Sequence, residues 1–220
     1  MTNLDSVYYP YERIYSYTTL PDGERILKKV VDYLLDLPDA VYQPRDNNLN
    51  PRVRLIKYLY YDDPLPLQKP LPTPEQKKSI VYDPYKPDRP SDIAKGYRLF
   101  SQALVSQAQT DGQTILRIYF GRVLPRSVYQ NEFSLRFVCL SNVSMESNTR
   151  STALSRTFAM CQAIIEALSG VNITGVGTFY MDRRQHPDCG IEPINDESTN
   201  IGYLLTMALT VMGGEGQEGI

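Results

Sequence analysis

The chain has 220 residues with 23 basic and 25 acidic side chains, which gives a formal net charge of −2. A chain of this length can bury a full core and predicts a single domain. The balanced charge argues against a dedicated nucleic-acid binder. The three cysteines are an odd number and do not predict a disulfide framework. Neither a signal peptide nor a membrane-spanning segment is expected, because no apolar run is long enough.

The N-terminal third begins with residues 1–20, which hold five tyrosines and show no helical period. We expect an extended arm that packs on its own core or on a neighbouring chain. A turn at Pro21-Asp22-Gly23 then leads into a helix from about Glu24 to Asp36, which Pro38 ends. Its predicted apolar face comprises Ile26, Val30, Tyr33, Leu34 and Leu37.

The next two segments are a predicted strand and a proline-rich passage. Arg52 to Tyr61 alternates between apolar and polar residues, which predicts a strand. Residues 62–92 are so rich in proline that regular structure is expected to break down there. Two interpretations remain open for this inserted belt: it lies over a neighbouring subunit, or it packs as a surface loop on its own subunit.

The second half of the chain predicts most of the sheet. Arg98 to Gln107 and Thr114 to Val123 flank Asp111-Gly112, which predicts a β-hairpin. Further strands are predicted at residues 133–140 and 201–211, separated in part by a polar loop at 182–200. Residues 213–220 predict a flexible tail.

One amphipathic helix lies between these strands. Apolar residues recur at helical spacing, while Arg156, Gln162 and Glu166 are predicted to face solvent. Gly170 follows the last apolar residue, where a left-handed conformation suits glycine. The apolar stripe comprises Leu154, Phe158, Cys161, Ile165 and Leu168, and the candidate N-caps are Ser147, Asn148 and Thr149.

These elements predict an α+β fold, with a mostly antiparallel or mixed sheet and two main helices packed on one face. The domain is expected to span residues 1–212. It includes the arm at 1–20 and the Pro-rich inserted belt at 62–92.

The sequence shows no catalytic, cofactor-binding or metal-binding pattern. His186 is the only histidine. With Cys189 it offers two ligands where a structural zinc site needs four, and Asp182 and Asp188 are explained equally well as surface-loop residues. Gly175 and Gly177 form half of a dinucleotide fingerprint, but strand-forming residues follow them, so close passage of two backbones is the better interpretation.

Tyrosine is unusually frequent, with 17 copies and no tryptophan. Tyrosine suits partly hydrated interfaces but is also common in strands, and both explanations remain open. The candidate subunit-interface residues are Tyr8, Tyr9, Tyr11, Tyr15, Tyr17, Tyr58, Tyr60, Tyr82 and Tyr85.

The order of motifs from Phe133 to Val211 resembles the neck, tail-terminator and tail-completion proteins of tailed bacteriophages. The helix at 24–36 and the segment Tyr82-Asp83-Pro84-Tyr85-Lys86-Pro87-Asp88 add to this resemblance. The motifs that carry it are Asn148-Thr149-Arg150, Leu168-Ser169-Gly170, Ile173-Thr174-Gly175-Val176-Gly177 and Asn200-Ile201-Gly202-Tyr203.

The resemblance implies a virion protein that assembles in the host cytoplasm into a ring, commonly a hexamer, around the DNA channel. Its partners would be further copies of itself and other tail, sheath, tube or connector proteins. Genomic DNA would pass through without sequence-specific binding, and no membrane would be involved. Alternatives are another tail or baseplate-proximal subunit, a metal or thiol enzyme centred on 182–189, and an adaptor that displays its Pro-rich segment.

Overall fold

Seven strands form a mixed sheet that curves into a half-barrel. The computed structural model describes residues 20–37, 50–82, 96–101, 113–127, 130–148, 154–184, 186–196 and 200–212. The strands are β1 (Leu99–Phe100), β2 (Ile115–Ser127), β3 (Gln130–Asn142), β4 (Asn172–Ile173), β5 (Gly177–Tyr180), β6 (Gly190–Asp196) and β7 (Asn200–Met212). The predicted α+β class with a mixed sheet is confirmed.

The last strand lies at the centre of this sheet. On one side β7 pairs with β3 along its whole length, and on the other side it pairs with β6 and then with β5. The strands β2, β3, β7 and β6 are each antiparallel to the next, while β1 is parallel to β2. The predicted strands at 133–140 and 201–211 are therefore confirmed and are longer than expected.

The helices are α1 (Leu20–Leu35), α2 (Pro51–Tyr60), α3 (Pro74–Ser79), α4 (Val143–Asn148) and α5 (Arg156–Leu168), with a 3-10 turn at Pro66–Gln68. Apolar side chains of α1, α2 and α5 join those of the sheet in one core. We call this helix-covered side the inner face, and the opposite side the outer face. Three helices, rather than the predicted two, contribute to the core on the inner face.

Alternation along the strands separates the two faces. Leu135, Phe137 and Cys139 of β3 belong to the large inner core, while Val138 and Leu140 belong to a smaller cluster on the outer face. The smaller cluster also contains Tyr97, Phe100 and Ile115, with Tyr82, Tyr119, Ile194 and Leu204 packed against it. The sheet therefore carries apolar packing on both sides, although the inner core is much larger.

The predicted strand at 52–61 is wrong, because these residues form α2. The side chain of Asn50 accepts a hydrogen bond from the backbone N–H of Arg52, and Pro51 occupies the first helical turn. Nearly every residue from Val53 to Leu59 is buried, Arg54 being half-buried. A helix buried on most sides has no clean polar stripe, so its pattern can be mistaken for strand alternation.

The predicted hairpin of 98–107 with 114–123 is also wrong. Leu99 and Phe100 pair with β2 in parallel, whereas a hairpin requires antiparallel pairing. The hairpin observed in the structure joins β2 to β3. The Asp111-Gly112 turn lies outside the described residues.

Two segments predicted to be irregular contain regular structure. The described part of the belt, residues 62–82, holds the 3-10 turn and α3, and Thr73 and Gln76 cap α3 reciprocally. The predicted polar loop at 182–200 contains β6, which pairs with β7. In each case local capping or strand pairing outweighs the proline and polar content of the segment.

The two predicted helices are confirmed, with different starting points. The helix α1 begins at Leu20, so the predicted turn at Pro21-Asp22-Gly23 is its first turn. The helix α5 begins at Arg156 and is capped by Ser155, not by residues 147–149. Gly170 has the expected positive φ of 74° just after the end of α5.

The glycine interpretation of the 175–177 segment is also confirmed. A Cβ atom at Gly177 would lie 2.1 Å from the carbonyl oxygen of Thr210, so only glycine allows β5 to approach β7 this closely.

Candidate functional site

The described Pro-rich segment is held against its own chain. The ammonium of Lys57 donates to the carbonyl oxygen of Leu67 at 3.1 Å. The hydroxyl of Tyr61 donates to the carbonyl oxygen of Pro70 at 2.9 Å. Lys77 of α3, only 3% exposed, donates to the carbonyl oxygen of Leu35 at the end of α1 at 2.6 Å. Residues 62–82 therefore contact their own subunit, while 83–92 lie outside the described residues, and whether the belt also lies over a neighbouring subunit stays a prediction.

The predicted tyrosine interface is only partly visible. Tyr58 is 1% exposed in its own core, so it has almost no surface to offer another subunit and is removed from the candidate set. Tyr60 and Tyr82 are half-buried and pack against the inner core and the outer cluster, respectively. Six candidates lie outside the described residues: Tyr8, Tyr9, Tyr11, Tyr15, Tyr17 and Tyr85.

His186 joins a buried polar network on the outer face. Its Nδ1 contacts a carboxylate oxygen of Glu132 on β3, and its Nε2 lies 2.7 Å from the hydroxyl of Tyr180 on β5. Thr210 of β7 donates to that hydroxyl at 2.9 Å. His186 and Glu132 are each 7% exposed. The network fastens the loop before β6 to three strands.

Sequence reasoning found His186 but missed Glu132. The only available signal was a carboxylate directly before the predicted strand at 133–140, and a single sequence does not show which group it meets. The register places Glu132 opposite Thr210, which brings both beside Tyr180 and the histidine. The arrangement resembles a proton relay in its connectivity, but its burial fits a structural fastening, because His186 and Glu132 are almost closed to solvent.

Cys189 does not gain the environment of a nucleophile. It is fully buried, and this burial raises the pKa of the Cys189 thiol above its ordinary value. A raised pKa reduces the thiolate fraction, the opposite of what nucleophilic catalysis requires. Asp188 is exposed beside it and lies 3.8 Å from Arg122. Among the described residues, no group of three or more His, Cys, Asp or Glu side chains is arranged to hold a metal ion.

Arg156 is fully buried, although the sequence predicted that it faces solvent. Its guanidinium donates to the carbonyl oxygens of Tyr58, Tyr61 and Asp63 and to the hydroxyl of Thr114. Burial lowers the pKa of Arg156, while the charges of nearby Asp62 and Glu146 oppose that shift.

These bonds give Arg156 a structural role. The carbonyl groups that end α2 lack helical partners, and a cation there also interacts favourably with the helix dipole. Arg156 therefore joins the end of α2 and the following loop to the start of α5. Sequence reasoning missed this role because its partners lie more than 40 residues away.

Two surface grooves among the described residues could admit a ligand. A groove of about 340 Å³ lies between α4, the start of α5 and the strands β6 and β7, where the Glu146 carboxylate already accepts from the backbone N–H of Thr157 at 3.2 Å. A second of about 550 Å³ separates α1 from α3. It mixes Lys28, Lys77 and Lys78 with Asp32 and Asp36, a balance that selects no particular ligand charge.

Exposed edges of the sheet are the remaining candidate surface. In the part of the chain that the structure describes, no strand pairs with the far edge of β2 beyond Arg117, and Gly121 and Arg122 are exposed there. At the opposite side of the sheet, Glu192 and Pro193 of β6 are exposed. We call these the β2 edge (Ile118–Ser127) and the β6 edge (Gly190–Asp196).

No protein-family model matches this chain, and a search of curated proteins finds no match either. Within the described residues, none of the helices has the length and apolar character needed to cross a membrane.

Proposed function

We propose that this chain is a structural virion protein of a tailed bacteriophage. It acts as a ring-forming neck or tail-terminator subunit that caps the tail, or joins it to the head, and surrounds the DNA channel. The resemblance between Phe133 and Val211 is one support. The observation that carries the proposal is the open sheet: within the described residues, Gly121 and Arg122 of the β2 edge and Glu192 and Pro193 of the β6 edge are exposed.

An open sheet with two exposed edges suits ring assembly. A ring closes through heterologous contacts, in which one surface of a subunit meets a different surface of the next. Unpaired strand edges are surfaces on which other chains can add. The helices occupy the inner face, which leaves the edges and much of the outer face to neighbouring subunits.

The proposed ring would let DNA pass through its channel without binding it tightly. A balanced charge of −2 over the chain gives no strong attraction to the phosphate backbone. The further partners would be tail, sheath, tube or connector proteins of the same particle. A tail or baseplate-proximal subunit elsewhere in the particle would use the same assembly principle.

Native mass spectrometry and negative-stain microscopy of the purified chain test the proposal. We expect discrete rings of one subunit number, with a central opening wide enough for duplex DNA. Electrophoretic mobility shifts at physiological salt should show only weak, sequence-independent binding. A chain that stays monomeric at its highest soluble concentration, and is absent from phage particles, would contradict the proposed function.

A further inference from the structure

The two edges that no other strand of the described residues covers, the β2 edge and the β6 edge, carry opposite charges. The β2 edge contains Arg122 and Arg126 and no acidic residue, whereas β6 contains Glu192 and Asp196 and no basic residue. Arg122 is exposed on β2, with 61% of its side chain accessible, and Glu192 is exposed on β6. The β2 edge is therefore electrostatically complementary to the β6 edge. Neither edge is complementary to the same edge of a second copy.

Arg122 and Glu192 also belong to the same face of the sheet. The loop before β6 crosses the outer face, and its Asp188 lies 3.8 Å from Arg122. Glu192 pairs in register with Leu204, whose side chain packs in the outer cluster. The Arg122–Asp188 pair is well exposed, so solvent screens it and it leaves Arg122 available to another carboxylate.

The directions of the strands permit the two edges to meet. Each of β2, β3, β7 and β6 is antiparallel to its neighbour in that order, so β2 and β6 run in opposite directions. If two copies lie side by side with their outer faces on the same side, β6 of one copy meets β2 of the next in antiparallel orientation. Antiparallel strands can pair directly at such a junction.

We propose that the β2 edge of one copy docks on the β6 edge of the next, with Arg122 facing Glu192 across the junction. This inference rests on the proposed ring-forming function and assigns its subunit interface. Two β2 edges together would place Arg122 near Arg122, and two β6 edges would oppose the Glu192 side chains. Like charges opposite each other are destabilising, so the charge pattern favours head-to-tail rings over two-fold dimers.

Irregularities at both edges limit how far backbone pairing can extend. The register of β2 shifts between Phe120 and Val123 and again between Pro125 and Ser127, and Pro193 gives β6 one position without an N–H donor. Such features restrain indiscriminate edge pairing. The junction therefore relies on side-chain charges for its specificity, with a short backbone ladder beside them.

Charge reversal tests the assignment. We expect Arg122→Glu and Glu192→Arg each to raise the subunit concentration for half-assembly by about tenfold or more, because each replaces an attractive pair with a repulsive one. The double variant restores the opposite pair and should assemble like the wild type. An equimolar mixture of the two single variants should also assemble, but only into rings in which the two alternate, with even subunit numbers.

Matched controls are Lys78→Glu and Glu75→Lys, which reverse exposed charges on α3. Both should assemble like the wild type, and circular dichroism should show every variant folded. Rings that form equally well from the wild type and both single variants would overturn this interface while leaving the proposed function intact. Loss of assembly that neither the double variant nor the mixture restores would also overturn it. A wild-type chain that never forms rings would contradict the proposed function as well.

Discussion

The inner and outer faces of the sheet illustrate two ways of using the same strands. On the inner face, Leu135 and Phe137 are fully buried beneath helices, and stability comes from apolar packing. On the outer face, Glu132 is held by the single histidine, and charged groups approach the sheet edges. The difference teaches that the inner face contributes most of the apolar core, while the outer face combines a smaller apolar cluster with a buried polar network.

Adjacent residues on β3 provide the most direct test of whether the two faces differ in their contribution to stability. Phe137→Ala should lower the free energy of unfolding by about 3–5 kcal/mol, because it empties a fully enclosed space. Arg136→Ala, one position away on the outer face, should cost less than about 1 kcal/mol. Urea denaturation followed by circular dichroism measures both. Equal losses would mean that the two faces contribute alike.

Arg156 tests how much a buried polar group stabilises the helices that cover the inner face. Arg156→Met should cost about 3 kcal/mol, because several backbone carbonyl groups lose a charged donor. Arg156→Lys should recover only part of this loss, since an ammonium lacks the planar fork of the guanidinium. Gln162→Met, at an exposed position of the same helix, serves as the control. If Arg156→Met unfolds at the same urea concentration as that control, the joining role is wrong.

The Glu132–His186 contact on the outer face should contribute less to the free energy of unfolding than Arg156 does. We expect its contribution to appear as a coupling free energy between the two residues. A double-mutant cycle of Glu132→Gln and His186→Gln should give a coupling free energy of about 1–2 kcal/mol, because each residue is the other's buried partner. Thermal denaturation at several pH values provides the measurement. Strictly additive single-variant losses would show that the contact contributes nothing to stability.

The smallest predicted effect concerns alkaline pH. A hydrogen bond with Cys161 and burial raise the pKa of Cys139, and burial raises the pKa of Cys189. In the folded chain these thiols keep protons that the unfolded chain releases above its ordinary thiol pKa of 9.0. Their contribution is therefore fully present below pH 9.0 and is lost as the pH rises.

Unfolding free energies measured between pH 8 and pH 10 test this sign. The wild type should lose stability faster than Cys189→Ser, by up to about 1.4 kcal/mol per pH unit for one thiol. Other groups that titrate in this range are common to both proteins and cancel in the difference. Identical slopes would contradict a raised thiol pKa.

The sequence predicted those elements whose signals are local. The helix α1 and the strands β3 and β7 have periods that their own residues determine, and Gly170 follows from the geometry of a helix end. The helix α2 was mistaken for a strand because burial on most sides removes the polar stripe that marks a helix. The strand β6 was missed because its polar residues and Pro193 resemble a loop until β7 is present to pair with it.

The candidate sites were less predictable, for a different physical reason. Arg156 had the charge of a solvent-facing residue, and its burial is made favourable by distant acceptors, namely the carbonyl groups of Tyr58 to Asp63 and the hydroxyl of Thr114. His186 was noticed because it is the only histidine, yet Glu132 becomes its partner only through the fold. The opposite charges of the two edges were already present in the sequence. Their complementarity becomes evident only when the fold places the two strands at opposite sides of one sheet.

The central position of β7 has a consequence for synthesis on the ribosome. The hairpin of β2 and β3 emerges early, but the strand that completes its sheet follows only after Asn200. Until then the edge of β3 that pairs with β7 has no partner, and an unpaired strand edge in an incomplete sheet is prone to non-native contacts. A chain stalled before β7 would therefore lack the strand at the centre of its sheet, so the topology makes completion of the core depend on the last strand to be synthesised.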